Sequence, residues 1–464
     1  MTKRSASFGL VLTLCALLLA LAFTVGQSVA HGAEVALAGS LALLVIEMTR
    51  SLLRWPSELW VAQAPIIGWL LLVVFPWYTT PASNGLWKEG DSGFVSAGVP
   101  HTWGSHLLAL LGLIGGSMIA LVMQNRKQDS KCHVNEVSAR VSFLPLWIIL
   151  IVVYVGGIAA TEGTLWRLGA DTYAGATLSA FGFLEIIPTV LLGLVLSVLG
   201  FRRFSRQSLT KLDLFMVAST LILLIGLGSR WRVILLVLAL FVVPLVTHRP
   251  ERRIPVGLRL FGILSVVVLT PVISGLLVNA RSEQTGLSSL AGANVLTTQE
   301  LVVLRGAWSG MLGGSSYTEI PGQMLPAAVG GTSETPQALF LVRELISHTS
   351  GSSSPLWFEA WLNFGNLGVI VMSGLFAFAF VSFFGRSSRR LTPASLLLTS
   401  LGPTLPILAY QLMSRLLIIQ ALTTVVAIWL GALVVYLRVN WSLASSESNH
   451  DSRTNQLTKG ARVV

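Results

Sequence analysis

The chain has 464 residues, of which 53% are hydrophobic and 11% charged, and its mean hydropathy is +0.75. A soluble protein of this length needs far more charge, so the composition reads as an integral membrane protein. The net charge of +11 is spread over many short segments, which suits anionic lipid headgroups and argues against a nucleic-acid partner.

In chain order, apolar runs near the roughly 20 residues that cross a bilayer fall at about 8–29, 33–49, 60–78, 104–123, 143–160, 177–200, 212–228, 233–247, 255–278, 360–384, 394–412 and 417–437. The expected fold is an all-α, polytopic membrane protein of about 12 transmembrane helices. Lys3-Arg4, the apolar stretch Phe8–Val25 and Ser28-Val29-Ala30 also fit a cleaved secretory signal, but the stretch is nearly long enough to span and is read as the first helix. Runs 33–49 and 233–247 are short enough to tilt or to enter only partway. Residues 1–278 then hold helices one to nine, 279–358 a long loop, 359–440 helices ten to twelve, and 441–464 a Ser/Asn/Asp-rich tail expected to be disordered.

Lys and Arg set the orientation. Of 31 such residues, 23 fall in alternate gaps or at the termini, and the other eight are Lys88, Arg167, Arg230, Arg232, Arg281, Arg305, Arg343 and Arg415. Cytoplasmic loops retain positive charge, so both termini are expected inside and these eight residues outside.

Two outer segments are long. Thr79–Trp103 is Gly/Pro/Ser-rich. Asn279–Phe358 contains Thr298–Met311 and Pro336–His348, whose apolar residues recur at helical spacing, separated by Gly-rich stretches such as Gly310–Ser316. Short helices lying over the outer face are expected there.

Seven of the eight outer cations are arginines. Arg230 and Arg232, in Gly228-Ser229-Arg230-Trp231-Arg232, and Arg415 sit in short hairpins where positive charge is disfavoured on the outside. Either they snorkel to headgroup phosphates, or they hold an anionic ligand, which guanidinium groups grip in a bidentate way. Arg281 and Arg305, in the long loop, could join such a site, and a lipid-linked pyrophosphate would suit it.

Glu359, Asn363 and Asn366 are spaced four and three apart, which puts them on one face of a continuous helix. Glu359 could cap that helix, or the three could form a polar wall facing a glycan. Glu185 falls about eight residues into the sixth run, where an intramembrane acid is either functional or paired. His348 and Glu359 are both candidates for a catalytic base. Cys15 lies in an apolar run and Cys132 in a polar gap, so no disulfide framework is expected. No P-loop, GxGxxG, HExxH or zinc spacing occurs, so no cofactor and no metal are expected.

Gly228-Ser229-Arg230 at a span end, Glu359-Ala-Trp-Leu-Asn363-Phe364-Gly365-Asn-Leu-Gly368 after the long loop, and Arg415 in the final hairpin resemble the bacterial O-antigen polymerase family, also called oligosaccharide repeat unit polymerases. The likeness covers most of the chain, through its many spans and late outer loop. It implies a metal-independent, GT-C-like glycosyltransferase in the bacterial cytoplasmic membrane. Such an enzyme moves a glycan from undecaprenyl pyrophosphate to the non-reducing end of another lipid-linked repeat unit. It further implies Arg230, Arg281, Arg305 and Arg415 as pyrophosphate holders, and leaves room for a chain-length regulator and a flippase as partners. Related ligases use an outer-loop His, which favours His348.

The rival readings are a lipid-linked oligosaccharide flippase or another multi-span transporter, and a lipid-linked saccharide ligase of the same architecture. A transporter of this size commonly breaks into two six-span halves, whereas the longest polar segment here follows the ninth run.

Overall fold

The computed structural model describes residues 60–69, 92–125, 141–160, 186–226, 230–246, 310–318, 356–385, 391–413 and 422–442. Every regular element among them is helical and none is a strand. The helices are α1 (60–69), α2 (Ser92–Asn125), α3 (Leu144–Ala160), α4 (Ile187–Phe204), α5 (Lys211–Gly226), α6 (Arg230–Val246), the short α7 (Ser315–Thr318), α8 (Leu356–Gly385), α9 (Pro393–Leu401), α10 (Leu405–Met413) and α11 (Leu422–Ser442). The runs expected at 8–29, 33–49 and 255–278, and the amphipathic segment Pro336–His348, lie outside the described residues.

Among the described residues, three helices are long and apolar enough to cross a membrane: α4, α8 and α11. The bent pair α9–α10 would make a fourth span. The outward faces of α8 and α11 are apolar. On α8, Leu367, Val371 and Leu375 recur every four residues at 70%, 47% and 55% exposure, a stripe suited to lipid rather than water.

Where helices meet, glycine lets their backbones touch. Gly112 and Gly116 of α2 lie against the backbone of α8 so closely that a Cβ on either would collide with the carbonyl of Ile370 or Gly374. Gly193 of α4 and Gly431 of α11 pack in the same way, against Ile428 and Val190, and Gly200 sits on the Leu396 carbonyl of α9. Apolar side chains gain little by leaving lipid for protein, so close backbone contact through small residues is what holds such helices together.

Several expected spans shift. In the sixth, residues 177–185 lie outside the described residues, and the described α-helix runs from Ile187, with Pro188 in the first turn, where its missing N–H costs no helical bond. It runs on through Arg202 and Arg203 to Phe204 and closes with Arg206 in the left-handed conformation (φ 54°), the Gln207 N–H bonding back to the Arg202 carbonyl. The eighth starts at Arg230, so Arg230 and Arg232 occupy the first turn of α6 and not a hairpin loop. The fourth starts at Ser92, so residues 92–103 of the expected outer loop are helical despite Gly93, Gly98 and Pro100.

Arg202 and Arg203, expected as loop cations, are helical residues bonded within the protein. Arg202 is 6% exposed. Its Nε donates to Asp213 Oδ2 at 2.9 Å, its Nη2 to Asp213 Oδ1 at 3.3 Å and to the Val141 carbonyl at 3.1 Å, and its Nη1 to Gln207 Oε1 at 2.6 Å. Asp213 also closes a reciprocal cap with Thr210 at the start of α5. A charge can stand so deep because its polar atoms are bonded on several sides.

The eleventh expected span is not one helix. Gly402 (φ 41°) and Pro403 break it into α9 and α10, which meet at 108°. The carbonyls released by the break are taken up. Gly402 N–H donates to Leu398, Arg203 Nη1 to Ser400 at 3.2 Å, Thr404 Oγ1 to Leu401 at 2.7 Å, and the Trp60 indole N–H of α1 to Gly402 at 3.1 Å. Irregular backbone among membrane helices survives where protein groups satisfy it in this way.

Candidate functional site

A second gathering of buried polar groups, besides that around Arg202, lies at another broken helix. Between Leu356 and Gly385, α8 is interrupted at one residue, Gly365, which stands at φ 62° and ψ −150°. Before it, every residue from Leu356 to Asn363 is buried, so this first leg is enclosed by protein on all sides. After it, residues 366–385 carry the exposed apolar stripe. Those residues make a helix roughly 30 Å long, the thickness of a hydrocarbon core. The break therefore lies at one end of a stretch long and apolar enough to span, with the enclosed leg on its other side.

Breaking the helix frees carbonyls of the first leg. Two are taken by the Gly-rich stretch of the long loop: the Leu312 N–H donates to the Leu362 carbonyl at 2.8 Å and the Gly313 N–H to the Asn363 carbonyl at 3.1 Å. Gly313 (φ 61°) and Gly314 (φ 93°) let the loop turn sharply afterwards. The turn leads into α7 and delivers Ser316 and Tyr317 onto the first leg.

There, three buried side chains form a directional chain. Asn363 Nδ2 donates to Ser316 Oγ at 2.6 Å, and Ser316 Oγ donates to Glu359 Oε1 at 3.1 Å. Asn363 Nδ2 also donates to the Glu359 carbonyl at 2.8 Å, which fixes the amide's orientation. The hydroxyl thus uses its one hydrogen toward the carboxylate and a lone pair toward the amide. Ser316, Glu359 and Asn363 are 3%, 2% and 1% exposed. Asn363 Oδ1 is buried with no hydrogen-bond partner among the described residues, and so is the Tyr317 hydroxyl. Burial, and after it the negative charge of Glu359, pushes the Tyr317 phenol well above its usual range, so it stays protonated and able to donate. The Tyr317 ring stacks on Phe364 at 5.8 Å between centroids.

Asn366 departs from the expected pattern. It is exposed, while Glu359 and Asn363 are buried, because the turn at Gly365 rotates the second leg and ends the common face. The other expected site residues are spread differently. Arg232 is half-buried on α6, with its guanidinium 5.2 Å from the Trp231 ring centre. Arg230 opens the same helix. Glu185, Arg281, Arg305, His348 and Arg415 lie outside the described residues.

Sequence reasoning does not find Ser316 and Tyr317. The stretch Gly310–Ser316 reads as a spacer between amphipathic segments, yet it docks onto the first leg of α8. Paired glycines followed by paired serines, directly after the amphipathic run Thr298–Met311, are the available signal. Among the described residues, no group of three His, Cys, Asp or Glu is placed to hold a metal ion. No family model, no curated protein and no solved structure matches this chain.

Proposed function

We propose that the protein polymerises lipid-linked oligosaccharide repeat units at the outer face of the bacterial cytoplasmic membrane. The observation that carries the reading is the buried Glu359 carboxylate, oriented by Ser316 and Asn363 at the end of a membrane-length helix. A carboxylate held in place by a hydrogen bond and enclosed by apolar walls is a suitable proton acceptor.

In the proposed reaction, a hydroxyl at the non-reducing end of one lipid-linked repeat attacks the anomeric carbon of the glycan on another carrier. The new glycosidic C–O bond forms as the bond to pyrophosphate breaks. The hydroxyl proton passes to the base, and undecaprenyl pyrophosphate leaves with the bonding electron pair. Glu359 is the base that the described geometry supports, and His348 is the alternative. Arginines stabilise the charge growing on pyrophosphate, so the step needs no metal. Arg230 and Arg232 support this role by their place in the first turn of α6, because cations at a helix N-terminus oppose the dipole while an anion there is favoured. Arg281, Arg305 and Arg415 complete the proposed pyrophosphate set. Asn363 and Asn366, with Glu185, are proposed to line the glycan path. The twelve-span architecture, with both termini cytoplasmic, belongs to the same proposal.

One observation favours the rival class. Discontinuous helices such as α9–α10 often bind substrate in transporters. Deleting the gene separates the two. A polymerase predicts surface glycan of single repeat units on a polysaccharide gel. A flippase predicts lipid-linked glycan held on the inner leaflet, and an unchanged length ladder excludes polymerisation.

A further inference from the structure

We infer that Ser316 is a positioning residue that aims the Glu359 carboxylate, supplied to the site by the long loop rather than by the membrane helices. The inference rests on the polymerase reading and deepens it. Three observations support it. First, Ser316 Oγ stands between Asn363 and Glu359 and bonds both, so removing it breaks both contacts at once. Second, its segment is anchored where it must be for that contact: the Leu312 and Gly313 N–H groups close onto the carbonyls of Leu362 and Asn363, the last turn before the Gly365 break. A break that exposes carbonyls and a loop backbone that presents N–H groups to them together make a dock. Third, Ser316 is 3% exposed although it sits in a polar, glycine-rich stretch, so its burial is specific to this docking.

A carboxylate in a continuous helix would need only its own helix to orient it. Here the first leg ends at the Gly365 turn, and the Glu359 carboxylate accepts a hydrogen bond from a hydroxyl 43 residues earlier in the chain. The long loop thereby becomes part of the catalytic apparatus. Ser316 acts through Glu359, to which its hydroxyl donates.

The test uses the full-length protein in native membranes, with lipid-linked repeat units extracted from the deletion strain as substrate. Ser316→Ala, Ser316→Thr, Glu359→Gln and the double variant Ser316→Ala/Glu359→Gln are compared at matched membrane levels. Losing an outer partner that orients a metal ligand costs about 10- to 100-fold, and the loss of a partner that orients a base is expected on the same scale. The expected result is a fall of that size in kcat for Ser316→Ala with KM unchanged, and recovery in Ser316→Thr, which keeps the hydroxyl. The double variant is expected to be no slower than Glu359→Gln alone, because nothing is left to aim. A Ser316→Ala enzyme with wild-type kcat, beside an inactive Glu359→Gln enzyme, overturns the inference and leaves the polymerase reading standing. Losses that multiply in the double variant also overturn it, since they mark an independent structural role. Wild-type speed in Glu359→Gln overturns the assignment of the base, and the positioning role with it.

Discussion

At Gly365 the backbone stands at φ 62° and ψ −150°, a combination that L side chains resist at a cost of order 1–3 kcal/mol. Two loop–helix hydrogen bonds and the burial of Ser316, Glu359 and Asn363 depend on that turn. Gly365→Ala is therefore expected to lower thermal stability in detergent by about that amount and to abolish elongation. A melting temperature and a chain-length ladder equal to wild type would show that the turn is dispensable. At Tyr317, the buried hydroxyl lacks a protein partner among the described residues. Tyr317→Phe should not lower stability, since no bond to a described residue is lost and a buried unpaired hydroxyl is removed. A rise in KM alone would place that hydroxyl on substrate.

Among the elements, the α2–α8 and α4–α5 pairs are held by different physics. The first rests on glycine. Gly116→Leu would drive a side chain into the Gly374 backbone, so the variant is expected to be nearly absent from membranes by immunoblot. The second rests on the buried Arg202–Asp213 pair. Removing one partner strands a charge, and Asp213→Ala should cost about 3–5 kcal/mol in thermal unfolding. Arg202→Met/Asp213→Leu should recover most of it, because a well-packed apolar pair replaces the buried charges. Helix positions are legible in sequence because hydropathy reports on lipid contact: α3, α5 and α8 begin within about four residues of their expected starts. Breaks within helices are not. Gly402-Pro403 and Gly365 lie inside unbroken apolar runs, and hydropathy is blind to a backbone turn whose carbonyls other segments satisfy. Arg202 and Arg203 are misplaced by sequence for a related reason: a cation count cannot tell a loop residue from one bonded inside the protein. Glu359 and Asn363 are legible as a pair by their spacing, while Ser316 is not, because it joins them from across the chain.

On the scale of the whole molecule, polymerisation at the outer face requires the break at Gly365 and the loop segment 310–318 to face outward, and the α4–α5 turn to face the cytoplasm. Gly310 and Ser208 are both exposed and mark the two sides. A cysteine at 310 should react with an impermeant maleimide in intact cells, and one at 208 only after permeabilisation. The reverse pattern would put Glu359 where no lipid-linked repeat is polymerised. The expected orientation does not hang on Arg202 and Arg203, since in the sequence Arg126, Lys127, Lys131, Arg140, Arg249, Arg252, Arg253, Arg259, Arg386, Arg389 and Arg390 fall in gaps of the same set. The most direct measurement is made in a strain lacking the gene and complemented with either wild type or Glu359→Gln, each confirmed in the membrane at equal level. Surface glycan is then resolved by length on a gel. Wild type should restore the ladder, while Glu359→Gln should leave single repeat units. A full ladder from the Glu359→Gln strain, or from the strain with no copy at all, would contradict the account.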